Sequence, residues 1–393
     1  MLEAARPVEI RRAGVVPGIA GHGPDALVAA YRELSSRSVV PECDLEISLA
    51  LKIPDSYILQ EAKAIAMPTN PIEYIWPGII AAQAIHVVTK LRIPDLLASG
   101  PKSIADLASE SGAHPPTLEC LLRALATLDI FAATPEGCFR NTSLTEVLRT
   151  DHPRSQRDSA LFLPAPFLWR PLGELYDSVR TGRPAFEQIF GQPFFEYLAA
   201  HPVDAAIFNT VMTQGIAWTT PALLAAYDFS HFEQLVDVGG GEGALLRDIL
   251  AATPRLHGVL FDLPQVVARA SEVWTDDIAA RCQVVGGNFF ESVPKGGDAY
   301  ILKGVIHDWQ DDDAATILRN TRRAIRPDGT LLLIEGVVDS TGRSVGLMAL
   351  LMLVIGGRER TEGELRSLLA ATGFSLTRII PTEASSLIEC HPV

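Results

Sequence analysis

Four glycines within five residues, directly after a short apolar run, constrain the fold of this chain more than any other sequence feature. The apolar run ends in Val236–Val238, the glycine-rich stretch is Gly239–Gly243, and a helical pattern, Ala244–Ala252, begins directly after it. In α/β proteins, a strand that ends in such a turn brings a ligand to its carboxyl end, where glycine lets ligand atoms approach the backbone. The stretch therefore predicts a small-molecule site on a parallel sheet.

Short apolar runs and helical patterns alternate from Leu235 onward, which is typical of a doubly wound sheet. The predicted strands are Leu235–Val238, Val259–Phe261, Cys282–Val285, Ala299–Lys303 and Thr330–Ile334. The predicted helices between them include Ala244–Ala252, Gln265–Ala270 and Asp312–Ala324. We therefore expect a Rossmann-like domain of the α/β class.

Upstream of this domain the sequence is mainly helical. Helical spacing of apolar residues begins near Ile72, Ser103 caps a second helix, and prolines open a third helix over Leu118–Leu128. Two short runs, Ile130–Ala133 and Cys138–Arg140, then predict a hairpin. Three helices and a hairpin form a winged-helix pattern, which often binds DNA. The segment carries little positive charge, so a packing or dimerisation role is favoured.

These patterns divide the chain into three parts. Residues 1–66 form an N-terminal extension without a clean period, residues 67–165 a winged-helix-like dimerisation domain, and residues 166–393 the ligand-binding domain, which includes a helical linker at 166–228. The longest apolar run, Val345–Ile355, has about half of the roughly 20 residues that a membrane span needs. We expect it to form a buried helix.

Composition argues against several classes of partner. The chain has 33 Lys and Arg against 47 Asp and Glu, a formal net charge of −14, whereas nucleic acids and anionic membranes attract basic surfaces. Its five cysteines are widely spaced and form no CxxC pair, which disfavours a disulfide framework or a zinc site and favours a reducing compartment. The first residues, Met1–Pro7, lack the apolar core of a signal peptide, so we expect no export signal. We therefore expect a cytoplasmic protein without a bound metal, a nucleic-acid partner or a membrane partner.

The acids around the glycine stretch narrow the choice of ligand. A dinucleotide fingerprint is G-x-G-x-x-G, and here the third glycine falls one residue early, which disfavours an NAD-dependent dehydrogenase. Asp237 and Glu242 would repel a pyrophosphate, but they suit a ligand with a sulfonium and an ammonium group. Asp262 follows the next predicted strand, where an acid accepts the hydroxyls of a ribose. These features predict S-adenosylmethionine, with its carboxylate at the start of the following helix.

Together with later motifs, the glycine stretch resembles the small-molecule O-methyltransferase family of the caffeic-acid type, which includes many bacterial natural-product enzymes. The motifs that carry this resemblance are Val236–Gly241, Phe261–Pro264, Gly287–Phe290, Leu302–Trp309 and Gly356–Thr361. The resemblance as a whole covers most of the chain, from about Ile72 to Cys390. The resemblance implies a class I methyltransferase domain, a helical N-terminal dimerisation domain and a homodimer.

The resemblance also implies how the cofactor is held. Six residues besides Asp237 are expected to contact it: Gly239 and Gly241 at the methionine end, Asp262 at the ribose, Asn288 and Phe289 at the adenine, and Lys303 near its rim. The family usually has aspartate where this chain has Asn288. An amide can still bond to the adenine side, so this departure affects cofactor affinity.

By the same resemblance, His307 is the general base, and Glu335 and Glu359 orient it. A phenol has a pKa near 10 and is a poor nucleophile at neutral pH. A histidine can remove its proton during attack, and a carboxylate behind the imidazole fixes the tautomer.

The acceptor pocket is the least constrained part of the site. Phe208 and Met212 are expected to clamp an aromatic acceptor, although at helical spacing both are also typical core residues. Asp308 is expected to contact the acceptor, or it caps the next helix, against which Trp309 packs. Arg358–Thr361 also fits a helix cap with surface charges, and relatives often carry an acid before Gly356 that this chain lacks.

The sequence therefore predicts an S-adenosylmethionine-dependent O-methyltransferase that acts on a hydroxyl of an aromatic or polyketide-like small molecule. Within the family, an N- or C-methyltransferase or a non-methylating member remains open. A cofactor-binding winged-helix regulator is a further alternative, and it requires a basic face on residues 103–140 that the sequence does not provide.

Overall fold

The computed structural model describes residues 70–270, 274–339, 345–382 and 385–393. The predicted N-terminal extension, 1–66, lies outside the described residues. No helix in the described ranges is long and apolar enough to cross a bilayer.

The first described elements are helical, as predicted. They are α1 (Ile72–Lys90), α2 (Ile93–Leu96), α3 (Ile104–Ser111) and α4 (Pro115–Ala126). The Ser103 hydroxyl accepts a hydrogen bond from the Asp106 N–H at 3.2 Å, which confirms the predicted cap of α3. The predicted hairpin is also present as two antiparallel strands, β1 (Phe131–Ala133) and β2 (Phe139–Asn141). Leu107, Leu122 and Phe131 are among the buried residues that form the core of this part.

A series of helices connects this part to the sheet. They are α5 (Ser143–Glu146), α6 (Arg157–Phe162), α7 (Pro166–Gly173), α8 (Leu175–Thr181), α9 (Ala185–Phe190), α10 (Phe194–Ala200) and α11 (Pro202–Ala226). Prolines at or next to the first residue of several helices explain why the segment is broken into short pieces. An aromatic core that includes Phe162, Phe186 and Phe194 holds the pieces together.

The rest of the chain forms a seven-stranded sheet. Its strands are β3 (Gln234–Val238), β4 (His257–Asp262), β5 (Cys282–Gly286), β6 (Ala299–Lys303), β7 (Thr330–Glu335), β10 (Phe374–Pro381) and β11 (Ser386–Pro392). A separate two-stranded sheet pairs β8 (Val337–Val338) with β9 (Arg360–Thr361). The order of the large sheet is β10-β11-β7-β6-β3-β4-β5, and the five strands from β7 to β5 are parallel. All five predicted strands are therefore present, and the direction of winding reverses between β3 and β6.

Helices cover both faces of the sheet. They are α12 (Ala244–Ala252), α13 (Pro264–Val267), α14 (Asp276–Ala279), α15 (Asp311–Ala324) and α17 (Glu362–Ala371). One more helix, α16 (Met348–Ile355), packs on α7, α8 and α9 of the linker instead. Leu235 and Ile301 pack on the face with α12, whereas Val236 and Leu302 pack on the face with α15 and α17. Alternation along each strand thus fills two cores.

Two expectations about these helices are wrong. The helix predicted over Gln265–Ala270 begins one residue earlier and ends at Val267. The apolar run Val345–Ile355 is only partly buried: Met352 is buried in α16, but Leu347 is 82% exposed. The run is apolar all round, and the linker helices cover only one of its sides.

Candidate active site

The carboxyl ends of four parallel strands bring the predicted site residues to one edge of the sheet. β3 leads into the glycine stretch, β4 ends at Asp262, β6 ends at Lys303 and β7 ends at Glu335. Because β3 and β6 are neighbours at the point where the winding reverses, a crevice opens between their carboxyl ends.

The glycine stretch needs glycine for two reasons. Gly239 and Gly241 have φ values of 71° and 61°, which other residues rarely adopt. A Cβ at Gly239 would also lie 2.8 Å from a methyl group of Val305, so the loop packs directly against the turn after β6. At Gly241 nothing lies within 4 Å of the Cβ position, so a ligand can approach the backbone there.

Asp262 ties the glycine stretch to the end of β4. Its Oδ2 accepts a hydrogen bond from the Gly241 N–H at 2.8 Å, and its Oδ1 accepts one from the Leu263 N–H at 2.6 Å. Burial raises the pKa of Asp262, and these two hydrogen bonds oppose the rise. Each carboxylate oxygen has room for a second donor, so the pair suits the two hydroxyls of a ribose.

Asp237 lies beneath the glycine stretch. The residue is 1% exposed, and neither carboxylate oxygen has a hydrogen-bond partner among the described residues. Burial and the nearby charge of Asp262 raise its pKa to about 7, while Lys303 opposes the rise. A buried acid without a partner is costly, so a cationic ligand above it would be favoured. The residues at this edge therefore fit S-adenosylmethionine, whose sulfonium and ammonium groups are cationic.

On the predicted adenine side, Asn288 and Phe289 lie in a short turn after β5. The Asn288 Oδ1 accepts a hydrogen bond from the Phe290 N–H at 3.0 Å. Asn320 of α15, which sequence reasoning missed, donates to the carbonyls of Phe289 at 2.8 Å and Phe290 at 2.9 Å. Asn320 is 5% exposed, so it fixes this turn from inside the protein. The signal available in the sequence was the position of Asn320, a polar residue three residues after Ile317 on the apolar face of the helix.

His307 meets three carboxylates that come from different parts of the chain. Its Nδ1 lies 2.9 Å from Glu359 Oε1 and 3.7 Å from Glu335 Oε2, and its Nε2 lies 3.5 Å from Asp308 Oδ1. Glu335 Oε1 accepts hydrogen bonds from the N–H groups of Val305 and Ile306, so β7 positions the turn that carries His307. The structure thus brings together the three residues that the sequence predicted for catalysis.

The electrostatics of this cluster are strongly coupled. Burial opposes a charge on His307, but Glu335, Glu359 and Asp308 outweigh it and raise the pKa of the imidazole to about 10. Burial raises the pKa of Asp308 to about 7, although His307 opposes that rise. Burial also raises the pKa of Glu335 and lowers that of Lys303. The cluster therefore favours an imidazolium over a neutral histidine when no ligand contributes charge.

Arg360 does not fit the alternative interpretation of Arg358–Thr361 as a helix cap with surface charges. The cap is present, because Thr361 accepts a hydrogen bond from the Glu364 N–H. Arg360, however, is only 2% exposed and reaches the backbone on both sides of His307.

The predicted acceptor clamp is divided between two environments. Phe208 of α11 packs in the aromatic core, with its ring centre 6.0 Å from that of Phe195, which in turn stacks on Trp309 at 5.4 Å. Met212 is 43% exposed. Phe208 therefore packs against the aromatic core, and contact of Phe208 or Met212 with an acceptor stays a prediction.

The part of the chain that the structure describes contains no group of three or more His, Cys, Asp or Glu residues that could hold a metal ion. The contacts of His307 with Glu335, Glu359 and Asp308 are direct contacts between side chains.

Known proteins match the chain over both of its folded parts. Residues 172–375 match the O-methyltransferase domain, and residues 75–151 match the O-methyltransferase dimerisation domain. A phenazine O-methyltransferase from Lysobacter antibioticus is 38% identical over 323 residues, which cover 80% of this chain and 94% of that protein. An 8-amino-8-demethylriboflavin N,N-dimethyltransferase from Streptomyces davaonensis is 37% identical over 317 residues, which cover 79% of this chain and 91% of that protein.

Solved structures agree with this match. An O-methyltransferase from neocarzinostatin biosynthesis, in complex with S-adenosylmethionine and 2-hydroxy-5-methyl naphthoic acid, superposes with a TM-score of 0.73. It is 34% identical, and the alignment covers 80% of this chain and 96% of that chain. The resemblance, the fold class and the cofactor predicted from the sequence are thereby confirmed. The chain is an S-adenosylmethionine-dependent methyltransferase and belongs to the O-methyltransferase family.

Proposed function

We propose that this enzyme methylates a hydroxyl group of an aromatic or polyketide-like small molecule, with His307 as the general base. The observation that carries the proposal is the contact between His307 Nδ1 and Glu359 Oε1 at 2.9 Å. It leaves Nε2, which lies 3.5 Å from Asp308 Oδ1, as the ring nitrogen that would accept the proton of the acceptor. Relatives whose names specify a phenazine or a naphthoic acid support the aromatic class of acceptor.

The cofactor site would be formed by the glycine stretch and its acids. Bound S-adenosylmethionine supplies an electrophilic methyl group on a positively charged sulfur. Asp262 would accept the ribose hydroxyls, and Asn288 with Phe289 would enclose the adenine. Gly241 would give the methionine end access to the backbone, and buried Asp237 would favour its positive charge.

His307 would remove the proton of the acceptor hydroxyl. Proton transfer costs little free energy when the base and its partner have similar pKa values, but the base must also be unprotonated at the working pH. The three carboxylates raise the pKa of His307 to about 10, which is close to the value of an ordinary phenol. Because a protonated imidazole cannot act as a base, the rate should rise with pH as His307 loses its proton. Glu359 would stabilise the imidazolium that forms during transfer.

An aromatic amine is a second candidate acceptor, favoured by the similarity to an N,N-dimethyltransferase. A neutral amine already carries a free lone pair, so it needs no base before attack. Transfer to nitrogen would therefore depend far less on His307 than transfer to oxygen.

We also infer that the enzyme is a homodimer. The dimerisation-domain match includes most of α1, and Ile80 and Val87 on this helix are 55% and 40% exposed although Val88 is fully buried. A helix that is apolar on both sides indicates that a second surface covers the outer side.

The test uses S-adenosylmethionine with a labelled methyl group and a panel of phenols, hydroxynaphthoic acids and aromatic amines. We expect wild type to label a phenolic member and H307A to lose about 10²–10⁴-fold in rate on it. D262A should weaken cofactor binding measured by calorimetry. H391A, which changes a histidine of β11 outside the site, provides the matched control. Full activity of H307A on a phenol would contradict the base assignment, and activity on amines alone would support transfer to nitrogen.

A further inference from the structure

The base and the carboxylate behind it lie on two turns that are held together by a buried guanidinium. His307 lies in a 3-10 turn, Ile306–Asp308, and Glu359 lies in the turn before α17, immediately before Arg360. The Arg360 side chain donates from Nη1 to the Ile306 carbonyl at 2.8 Å and from Nη2 to the Trp309 carbonyl at 2.7 Å. These two carbonyls bracket His307, so one planar group fixes the chain on both of its sides.

The remaining donors of Arg360 are also used. Nε donates to Asp311 Oδ1 at 2.9 Å, and Nη1 makes a second contact, to the Arg358 carbonyl, at 3.2 Å. Arg360 is 2% exposed, whereas the side chain of Asp311 is 54% exposed. A buried guanidinium is tolerated only when its donors are satisfied, so its position depends on these particular acceptors.

Two neighbouring hydrogen bonds also join these two turns, but neither of them involves a buried charged group. The Arg358 N–H donates to the His307 carbonyl at 2.6 Å, and the Gln310 amide donates to the Gly356 carbonyl at 3.0 Å. Arg360 is thus the buried charged group that joins the two turns.

We propose that Arg360 is a positioning residue that keeps His307 within hydrogen-bond distance of Glu359. The proposal rests on the proposed function of His307 as a base. Lysine in place of Arg360 would keep the charge, but its single ammonium group cannot present the planar fork that reaches both carbonyls. The His307–Glu359 contact would therefore lengthen, and the base would lose both its orientation and its carboxylate.

The experiment compares R360K and R360M with R281M as a matched control. Arg281 also binds backbone carbonyls through its guanidinium, those of Leu250 at 3.0 Å and Leu256 at 2.8 Å, but it does so at the end of α12. The first readout is the imidazole signal of His307 in histidine-labelled protein, assigned with H307Q and titrated by NMR without an acceptor. The second is the turnover number on a phenol together with the Kd for S-adenosylmethionine.

We expect the pKa of His307 to fall in R360K by at least about one unit, since its nearest carboxylate has moved away. Turnover should fall about 10- to 100-fold, because a misplacement of about 1 Å has that effect. Cofactor binding should stay within about twofold. R281M should lose stability without a change in the His307 titration.

Unchanged titration and turnover in folded R360K would overturn the proposal, and so would an equal change of the His307 titration in R281M. If R360M does not fold, R360K alone decides. If wild type methylates no phenol, the proposed function fails, but the NMR titration still decides whether Arg360 positions His307.

Discussion

Asp308 shows how much of a residue's chemistry is absent from its sequence position. The Leu302–Trp309 motif marked both His307 and Asp308 as site residues, and the structure places their side chains 3.5 Å apart. The partner on the other imidazole nitrogen, Glu359, is 52 residues away along the chain. Tertiary packing produces both the contact between His307 and Glu359 and the burial that raises the pKa of Asp308. Local patterns therefore identified the residue types but not their charge states.

This charge state predicts how stability depends on pH. Burial raises the pKa of Asp308 from 3.8 to about 7, so the folded protein binds a proton that the unfolded chain releases earlier. The contribution of this group to stability is present below about pH 4 and is lost as the pH rises to about 7. The D308N variant cannot lose stability in this way, because an asparagine side chain does not ionise. Its advantage over wild type in the free energy of unfolding should grow between pH 4 and 7, by at most about 4 kcal/mol.

Urea unfolding of the cofactor-free protein at several pH values measures this difference. D312N, a change at an exposed aspartate in the first turn of α15, should show no comparable growth over the same interval. A constant difference between D308N and wild type from pH 4 to 7 would mean that Asp308 is ionised in the folded protein throughout.

At the scale of elements, the parallel strands were the most predictable part. β6 has the predicted bounds, and the other four predicted strands differ by one or two residues at one or both ends. Four of the five are largely buried, and a buried strand is apolar on both faces, whereas the edge strand β5 is mostly exposed. The antiparallel pair β10 and β11 was not predicted. In β10 the buried residues Phe374 and Leu376 alternate with exposed ones, a period-2 signal that was available in the sequence. The partial exposure of α16 could not be predicted from the sequence, since it depends on which helices pack beside it.

Two glycines near α17 should respond to alanine in opposite directions. A Cβ at Gly357 would lie 2.4 Å from the His307 carbonyl oxygen, so G357A must separate the two turns. We expect a loss of about 1–3 kcal/mol in stability together with reduced turnover on a phenol. Gly363 lies in the first turn of α17 with nothing within 4 Å of its Cβ position, so G363A should stabilise by up to about 0.5 kcal/mol, less than in a helix interior. Thermal unfolding and steady-state rates measure both, and a G357A enzyme as stable and active as wild type would contradict the close approach.

At the scale of the whole molecule, several apolar residues of α1 remain exposed beside the other described residues. Ile79 and Ile80 of α1 are 51% and 55% exposed, whereas Ala84 and Val88, which follow about one and two turns further along the same helix, are buried. The helical spacing of apolar residues predicted this helix, but it did not distinguish the residues that pack in the core from those that stay exposed. Only the structure separates the residues that form the core from those that remain exposed. The exposed side of the helix, with Ile80 and Val87, supports the inferred homodimer.

Charge placed on that exposed side should dissociate the dimer. We expect wild type to sediment as a dimer at micromolar concentration and the double variant I80E/V87E to sediment as a monomer, because two carboxylates would lose hydration in an apolar interface. Far-UV circular dichroism should stay unchanged, since both positions are exposed in the single chain. V284E, at a 41% exposed residue of the edge strand β5, is the control and should remain dimeric. A dimeric double variant, or a monomeric wild type, would show that α1 is not the interface.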